Sequence, residues 1–384
     1  MSVLEQDFSV RFRYKIFFSQ HIFSLSNRLL ADFLTEQVGD EFERKILFVL
    51  DGNVAGAHPG LLSDITTYFK QFQIVSLASE FIILIGGEQV KNDHNSLDSV
   101  LEAINLHKID RHSYLAVIGG GAVLDLGGYA ASIAHRGIRL LRFPTTVLSQ
   151  NDSGIGVKNG INYFKKKNFL GTFSTPAAVF NDAGFLLTLD TRNWRSGIAE
   201  AIKVALIKDA SFFYWIHKHT QSLIERDVER MQILIHTCAR LHLEHISGSD
   251  PFENGSSRPL DFGHWAAHKI EYLTDFSLLH GEAVAIGIAL DSIYSNLAGF
   301  LSEDKMRQII NLLRAIGFDL GHAVLDREEE IFEGLNEFRE HLGGRLTIML
   351  LSDIGSGINV NAIEKVLFKK SMRILKEFSL IEKS

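Results

Sequence analysis

The first half of the chain alternates short apolar runs with stretches of helical spacing. KILFVL (45–50) stops at Asp51, FIILIGG (81–87) stops at Glu88, and YLAVIGGG (114–121) ends in a glycine turn. IRLLRFPTT (138–146) is a fourth such run. Apolar runs of this length, closed by Gly, Asp or Asn, are the pattern of buried parallel strands. Their alternation with helices predicts an open α/β sheet, whose ligands gather at the carboxyl ends of the strands. The polar punctuation therefore falls at the expected ligand edge. From about residue 185 the pattern changes. Segments 196–219, 228–246, 281–299 and 303–317 repeat their apolar residues at helical spacing, and LTIMLL (346–351) is the main strand-like run. Two domains are expected, a nucleotide-type α/β domain over 1–185 and a mostly α-helical one over 186–384.

Composition narrows the class. Apolar residues make up 46% of the 384, and charged residues 22%, an ordinary globular balance. Lys and Arg number 39 against 46 Asp and Glu, so the formal charge is −7. That balance argues against broad electrostatic binding to nucleic acid or anionic membrane. The single cysteine, Cys238, excludes a disulfide framework and a multi-cysteine zinc site. No long uncharged apolar run and no signal-peptide pattern are evident, so a cytoplasmic protein is expected.

Three regions carry candidate chemistry. Gly119-Gly120-Gly121 follows a strand and precedes a helical segment holding Asp125, where a bare backbone can approach a pyrophosphate. Asp51 and Glu88 end strands, where a carboxylate can take ribose hydroxyls or cap a turn. The stretch from Asp152 through Lys158 and Asn162 to Lys167 and Asn168 mixes a carboxylate, small residues, cations and amides in an expected loop. That mixture suits a phosphorylated polyol. In the second half Glu200 precedes Lys203 by three residues, on one helical face. His264 and His268 are four apart, and His280 follows in LLHGE. A glutamate with two histidines suits Zn²⁺ with positions open for substrate oxygens. Spacing alone leaves open which histidines bind.

With these segments identified, the sequence resembles the sugar phosphate cyclases of the 3-dehydroquinate synthase superfamily. The pieces that carry the resemblance are GGGAVLDLGGYAAS, HRGIRLLRFPTTVLSQNDSGIGVKNGIN, KKNFLGTF, RSGIAEAIKVALI, and RPLDFGHWAAHKIE followed by HGEAVAIG. The resemblance implies a Rossmann-like NAD-binding domain and a helical metal domain. It places Glu200, His264 and His280 on Zn²⁺, with Co²⁺ not distinguished, and His268 near a leaving phosphate. Asp152, Lys158, Asn168 and Lys203 match substrate-contacting positions. Arg136 matches an arginine that a neighbouring subunit receives, so a homodimer is implied. Asp51, Glu88, Lys91, Gly120, Gly121, Asp125, Thr145, Thr146, Lys167, Thr188 and Leu189 match NAD contacts. The implied reaction oxidises a secondary alcohol transiently with NAD⁺, releases phosphate by β-elimination, reduces the ketone again and closes a carbocycle, with no net redox change.

The chain departs from dehydroquinate synthases where these bind a substrate carboxylate. Counted back without gaps, Leu243, Ser257 and Asp261 replace a lysine, an arginine and an asparagine. Arg258 stands one position away, before Pro259. His341 lies near a lysine pair of those enzymes. Losing cations and gaining Asp261 disfavours a carboxylate ligand, whereas an aspartate accepts hydrogen bonds from sugar hydroxyls. The string DPFENGSSRPLDFGHWAAHKIE is similar to 2-epi-5-epi-valiolone synthases, which implies sedoheptulose 7-phosphate as the substrate. An authentic dehydroquinate synthase is the alternative. Metal-dependent polyol dehydrogenases share the architecture, but a simple polyol needs no phosphate cradle. An inactive binding protein would have no use for the full Glu/His/His set.

Overall fold

A computed structural model describes residues 2–37, 43–164, 166–248, 250, 252, 259–341 and 346–380. The chain divides into two compact units, Met1–Pro144 with Val157–Asp182, and Thr145–Gly156 with Ala183–Ser384. A single cut near residue 185 puts 145–156 in the first domain, yet these residues pack with the second unit. The reason is a close backbone approach. A Cβ added at Gly197 would stand 2.4 Å from the Leu148 nitrogen, and Asn151 Nδ2 donates to the Gly197 carbonyl at 2.8 Å.

The first unit is built on strands β1 (Lys15–Ser19), β2 (Lys45–Asp51), β3 (Ser76–Leu84), β4 (Tyr114–Gly119), β5 (Arg139–Pro144) and, after a hairpin, β8 (Ala178–Asp182). They form one parallel sheet in the order β1-β8-β5-β4-β2-β3. Its helices are α1 (Leu29–Gln37), α2 (Gly52–Ala57), α3 (Leu61–Phe72), α4 (His94–Leu106) and α5 (Gly121–Ile133). β4 is buried along its whole length and β2 along all but its first residue, as expected of strands covered on both faces. Strand order reverses between β2 and β4, so the crevice beyond their carboxyl ends is the topological switch point of the sheet.

The expected loop over 152–168 is mostly ordered otherwise. A π-type turn spans Ser149–Ser153, and the antiparallel strands β6 (Lys158–Tyr163) and β7 (Lys166–Phe173) form a hairpin. Asn and Gly are poor strand formers, so β6 was not readable from composition. It is held by tertiary contact. Buried Arg142 donates to the Lys158 carbonyl at 3.0 Å and to Asn159 Oδ1 at 2.6 Å. Gly128 of α5 makes room for that amide, since a Cβ there would lie 1.8 Å from Asn159 Oδ1.

The second unit contains α6 (Thr191–Lys208), α7 (Ala210–Lys218), α8 (Thr220–Ile224), α9 (Val228–Ile246), α10 (His264–Leu273), α11 (His280–Leu297), α12 (Glu303–Ile316), α13 (Glu328–His341) and α14 (Lys365–Leu380). A small antiparallel pair joins them, β9 (Ile348–Asp353) and β10 (Ser356–Val360). The segment 196–219, which reads as one helix, breaks at Asp209, whose side chain caps α7 by accepting from the Phe212 amide. α11 is buried on nearly every side and forms the centre of the helical core. Among the described residues no helix is long and apolar enough to cross a membrane.

Candidate active site

In the first unit the polar ends of β2 and β4 meet. Asp51 caps α2, its Oδ1 accepting the Asn53 amide at 2.8 Å, and its carboxylate also takes the Val54 and Gly120 amides. Burial nevertheless raises its pKa above the ordinary aspartate value. Gly120 is the N-cap of α5 and Gly121 its first residue. The glycine turn thus opens directly into a helix N-terminus at the switch point, where a phosphate finds N–H donors.

Beside it lies buried Lys91. Its Nζ is 2.8 Å from Asp125 Oδ2 and 3.8 Å from Glu88 Oε1, and it also donates to Asn168 Oδ1. Asn162 Nδ2 reaches Glu88, and Asn162 Oδ1 accepts the Asn168 amide. Asn168 itself is held at a positive φ of 54°. The structure therefore gathers Asp51, Gly120 and Gly121 at the switch point, and Glu88, Lys91, Asp125 and Asn168 in one hydrogen-bonded cluster. Lys158 is exposed at the start of β6, and Lys167 lies on β7. Arg136 is exposed in a turn after α5 where His135, Arg136 and Gly137 all have positive φ.

The other expected cofactor residues belong to the second unit. The Thr146 amide and Oγ1 hydrogen-bond with Ser149 Oγ, ordering the approach to the π-type turn that carries Asp152. Thr145 is buried. Thr188 Oγ1 donates to the Phe185 carbonyl, and Leu189 packs on the helical core.

The centre of the second unit is built by glycine contacts. A Cβ at Gly281 would lie 2.0 Å from the Ser196 carbonyl oxygen, and one at Gly287 would lie 2.1 Å from that of Gly263. These approaches bring α6, the start of α10 and the start of α11 together. Glu200 stands one turn after Ser196, His264 immediately after Gly263, and His280 immediately before Gly281. Ligand atoms of Glu200, His264 and His280 consequently lie within 4.8 Å of one another. A second group of the same compactness is His268, Glu271 and His280.

The chemistry of the first group fits a divalent cation. Glu200 is fully buried, and its Oε2, 3.9 Å from His264 Nε2, makes no hydrogen bond among the described residues. Its Oε1 pairs with buried Lys203. Burial opposes the Lys203 charge, but Glu200 and Asp152 outweigh it and hold the pKa above the ordinary lysine value. Burial, aided by Lys203 and the neighbouring histidines, holds His264 well below the usual histidine range. It is therefore the neutral imidazole that ligates metals. Cys238 lies in the same field, and burial pushes its thiol up, so it takes no part as a thiolate.

Substrate-type residues surround this centre. Asp152 and Asp261 both act electrostatically on Lys203. His268 is exposed, its ring centroid 5.4 Å from that of His264 and 6.0 Å from that of His280. Leu243 is half-buried on α9. Pro259 and Asp261 form a short 3₁₀ turn. Ser257 and Arg258 lie outside the described residues, as does the His341 side chain.

Sequence reasoning missed three contributors. His242 Nδ1 lies 3.1 Å from Asp152 Oδ1. Asp291 accepts from the Gly263 amide and from Trp265 Nε1, each at 3.0 Å, and so ties the start of α10 to α11. Glu271 meets His280. Only Glu271 left a local signal, since it falls on the His264 and His268 face of α10 at i+7 and i+3.

Comparison with known proteins bears on the whole chain. The family model described as 3-dehydroquinate synthase N-terminal matches residues 81–196, and that described as 3-dehydroquinate synthase C-terminal matches 197–336. A Campylobacter concisus protein named 3-dehydroquinate synthase is 32% identical over 341 residues, 88% of this chain and 93% of that protein. Among solved structures, ValA, a 2-epi-5-epi-valiolone synthase from Streptomyces hygroscopicus subsp. jinggangensis with NAD⁺ and Zn²⁺ bound, superposes with a TM-score of 0.89 at 27% identity. That match covers 98% of this chain and all of ValA. A 2-deoxy-scyllo-inosose synthase, at 21% identity and a TM-score of 0.78 over 94% of this chain and 96% of that one, shares the fold.

Proposed function

The chain belongs to the 3-dehydroquinate synthase family of sugar phosphate cyclases, and from that premise we propose that it cyclises a ketose 7-phosphate lacking a carboxylate, sedoheptulose 7-phosphate, to a valiolone-type cyclitol with release of phosphate. The observation that carries the substrate choice is the charge around Lys203. Glu200, Asp152 and Asp261 all act on this one lysine, and α9 offers Leu243 where a carboxylate-binding relative carries a lysine. A substrate carboxylate would there meet the like charges of Asp152 and Asp261 without a cation at position 243, at a cost that rises in a low-dielectric pocket. Sugar hydroxyls would instead donate to the aspartates.

NAD⁺ and Zn²⁺ are the cofactors we propose, as in the Streptomyces enzyme, Co²⁺ being an acceptable replacement. When bound, they would supply a reversible hydride acceptor and a Lewis acid for a substrate hydroxyl. By the family resemblance, Asp51, Glu88, Lys91, Gly120, Gly121, Asp125, Thr145, Thr146, Lys167, Thr188 and Leu189 would be the dinucleotide contacts. Glu200, His264 and His280 would hold the metal. Lys203 would keep its proton beside Glu200 and donate a hydrogen bond to a substrate oxygen. Asp152 and Asp261 would orient the ring hydroxyls. By the same resemblance, Lys158 and Asn168 would contact substrate and His268 would stand near the leaving phosphate, with Arg136 lent by the second copy of a homodimer. Oxidation and reduction cancel, so one ketose phosphate gives one carbocycle and one phosphate.

The test is phosphate release by the purified protein with NAD⁺ and Zn²⁺. Sedoheptulose 7-phosphate and 3-deoxy-arabino-heptulosonate 7-phosphate are offered in parallel, with the NADH band followed. Release from the first alone, without NADH build-up, is expected. Release from the second makes the protein a divergent 3-dehydroquinate synthase, the activity for which its Campylobacter relative is named. Accumulating NADH overturns the cyclase reading.

A further inference from the structure

We propose that Glu271 is a positioning residue of the metal centre, fixing His280 by a hydrogen bond, and that it is not itself a ligand. The inference rests on the metal reading above. Two compact groups share His280, one with Glu200 and His264, the other with His268 and Glu271. One contact decides between them. Glu271 Oε2 lies 3.1 Å from His280 Nδ1. An ionised carboxylate only accepts, so Nδ1 carries the proton and Nε2 keeps the lone pair that binds a metal. A carboxylate set against a ligating imidazole in this way fixes its tautomer and ring plane and raises its basicity.

Burial and topology agree with this division of roles. Glu271 is buried, whereas His268 of its own group is exposed. His264 stands at the first turn of α10 and Glu271 two turns later on the same face. His280 opens α11, so one helix supplies both a ligand and the group that orients the ligand of the next. On Glu200 the comparable oxygen, Oε2, has no hydrogen bond among the described residues. Of the two buried carboxylates, one is engaged by an imidazole Nδ1 and the other stands ready for a cation.

The experiment is Zn²⁺ affinity by competition with a chromophoric chelator, with the absorption spectrum of the Co²⁺-substituted protein. Four variants are compared, Glu271→Gln, Glu271→Ala, Glu200→Gln and His264→Ala. Glu271→Gln keeps an oxygen for Nδ1–H and should weaken Zn²⁺ about 10-fold, and Glu271→Ala up to about 100-fold. Both should still bind one equivalent, with the Co²⁺ band pattern of the parent. Glu200→Gln and His264→Ala should lose more affinity than either and change the Co²⁺ spectrum. Parental affinity in both Glu271 variants overturns the inference while leaving the ligand set intact. Loss of the Co²⁺ pattern in Glu271→Gln, with Glu200→Gln unaffected, makes Glu271 a ligand and overturns the ligand set as well. Circular dichroism identifies a variant that has not folded, and the isosteric Gln keeps the test decisive if Ala fails to fold.

Discussion

The carboxyl edge of the parallel sheet and the buried polar centre of the helical unit are assembled by different means. At the sheet edge, consecutive residues do the work. A strand ends, a carboxylate caps the next helix, and a glycine turn opens another, so position follows from topology. In the helical unit, Glu200, His264 and His280 come from three helices and meet only because glycines let backbones touch. The first arrangement also has a close glycine approach, a Cβ at Gly86 standing 2.2 Å from Asp51 Oδ1, but what it meets there are side chains and not backbone. The second concentrates buried charge where a single methyl or a lost counter-charge is felt by every ligand.

The largest effect should follow from breaking the buried pair. Lys203→Met leaves Glu200 buried without its cation, which costs about 3–5 kcal/mol in the metal-free protein. Saturating Zn²⁺ should recover part of that loss, because it stabilises only the folded state. Urea unfolding with and without the metal reads both numbers. Equal loss in the two conditions would separate Lys203 from the metal centre.

Gly287→Ala comes next. Its Cβ would press on the Gly263 carbonyl oxygen, a backbone atom that cannot swing away, and overpacking of this kind costs about 1–3 kcal/mol or more. Zn²⁺ affinity should fall with stability, since Gly263 leads directly into His264. The counterpart in the first unit is Gly56→Ala, in α2, where nothing lies within 4 Å. Helix propensity predicts a gain of up to about 1 kcal/mol there. Similar losses at both sites would remove the contrast between the units.

Asp291 gives a pH signature. Burial raises its pKa to about 7, despite two hydrogen bonds to its charged form, against about 3.9 in an unfolded chain. The folded protein therefore holds a proton that the unfolded chain has released. The stability this contributes is complete below about pH 4 and is lost as the pH rises through about 7. Asp291→Asn abolishes the titration and leaves one amide hydrogen facing a donor. The variant should be about 1 kcal/mol less stable than the parent at pH 5 and more stable than it by pH 8, because the parent loses about 1.4 kcal/mol per pH unit up to about pH 7. Denaturant midpoints at the two values test this, and a constant difference would show that Asp291 does not titrate between them.

The same contrast explains what could be read from the residues alone. β2, β4, β5 and α12 were legible because each carries its own signal, an unbroken apolar run or a 3.6-residue period. The metal-type residues were legible only as candidates, since spacing leaves open which histidines bind and the family resemblance is what names Glu200, His264 and His280. β6 was not, because its Asn and Gly are fitted by Arg142 and Gly128 from elsewhere in the unit. Asp291 was not, because its partners lie 26 and 28 residues away and a lone aspartate in an apolar helix has no periodic meaning. Residues 145–156 were placed in the wrong unit because no composition shift marks the crossing. Tertiary contacts do so, Leu148 and Asn151 both meeting Gly197.

The smallest effect should come from Asp51→Asn at the sheet edge. The asparagine keeps one acceptor oxygen for the amide of Asn53 or of Gly120, but its own amide group then faces a backbone donor. A cap weakened in this way costs about 1 kcal/mol. The burial that raises the Asp51 pKa also means that little favourable charge is lost. Calorimetric titration with NAD⁺ should show weakened binding, because the glycine turn loses the carboxylate that anchors Gly120. Zn²⁺ affinity should stay at the parental value, since every proposed ligand and its support belongs to the other unit. A fall in Zn²⁺ affinity alongside that of NAD⁺ would mean that the sheet edge and the helical centre are energetically one site, and the difference in how they are assembled would then be one of construction only.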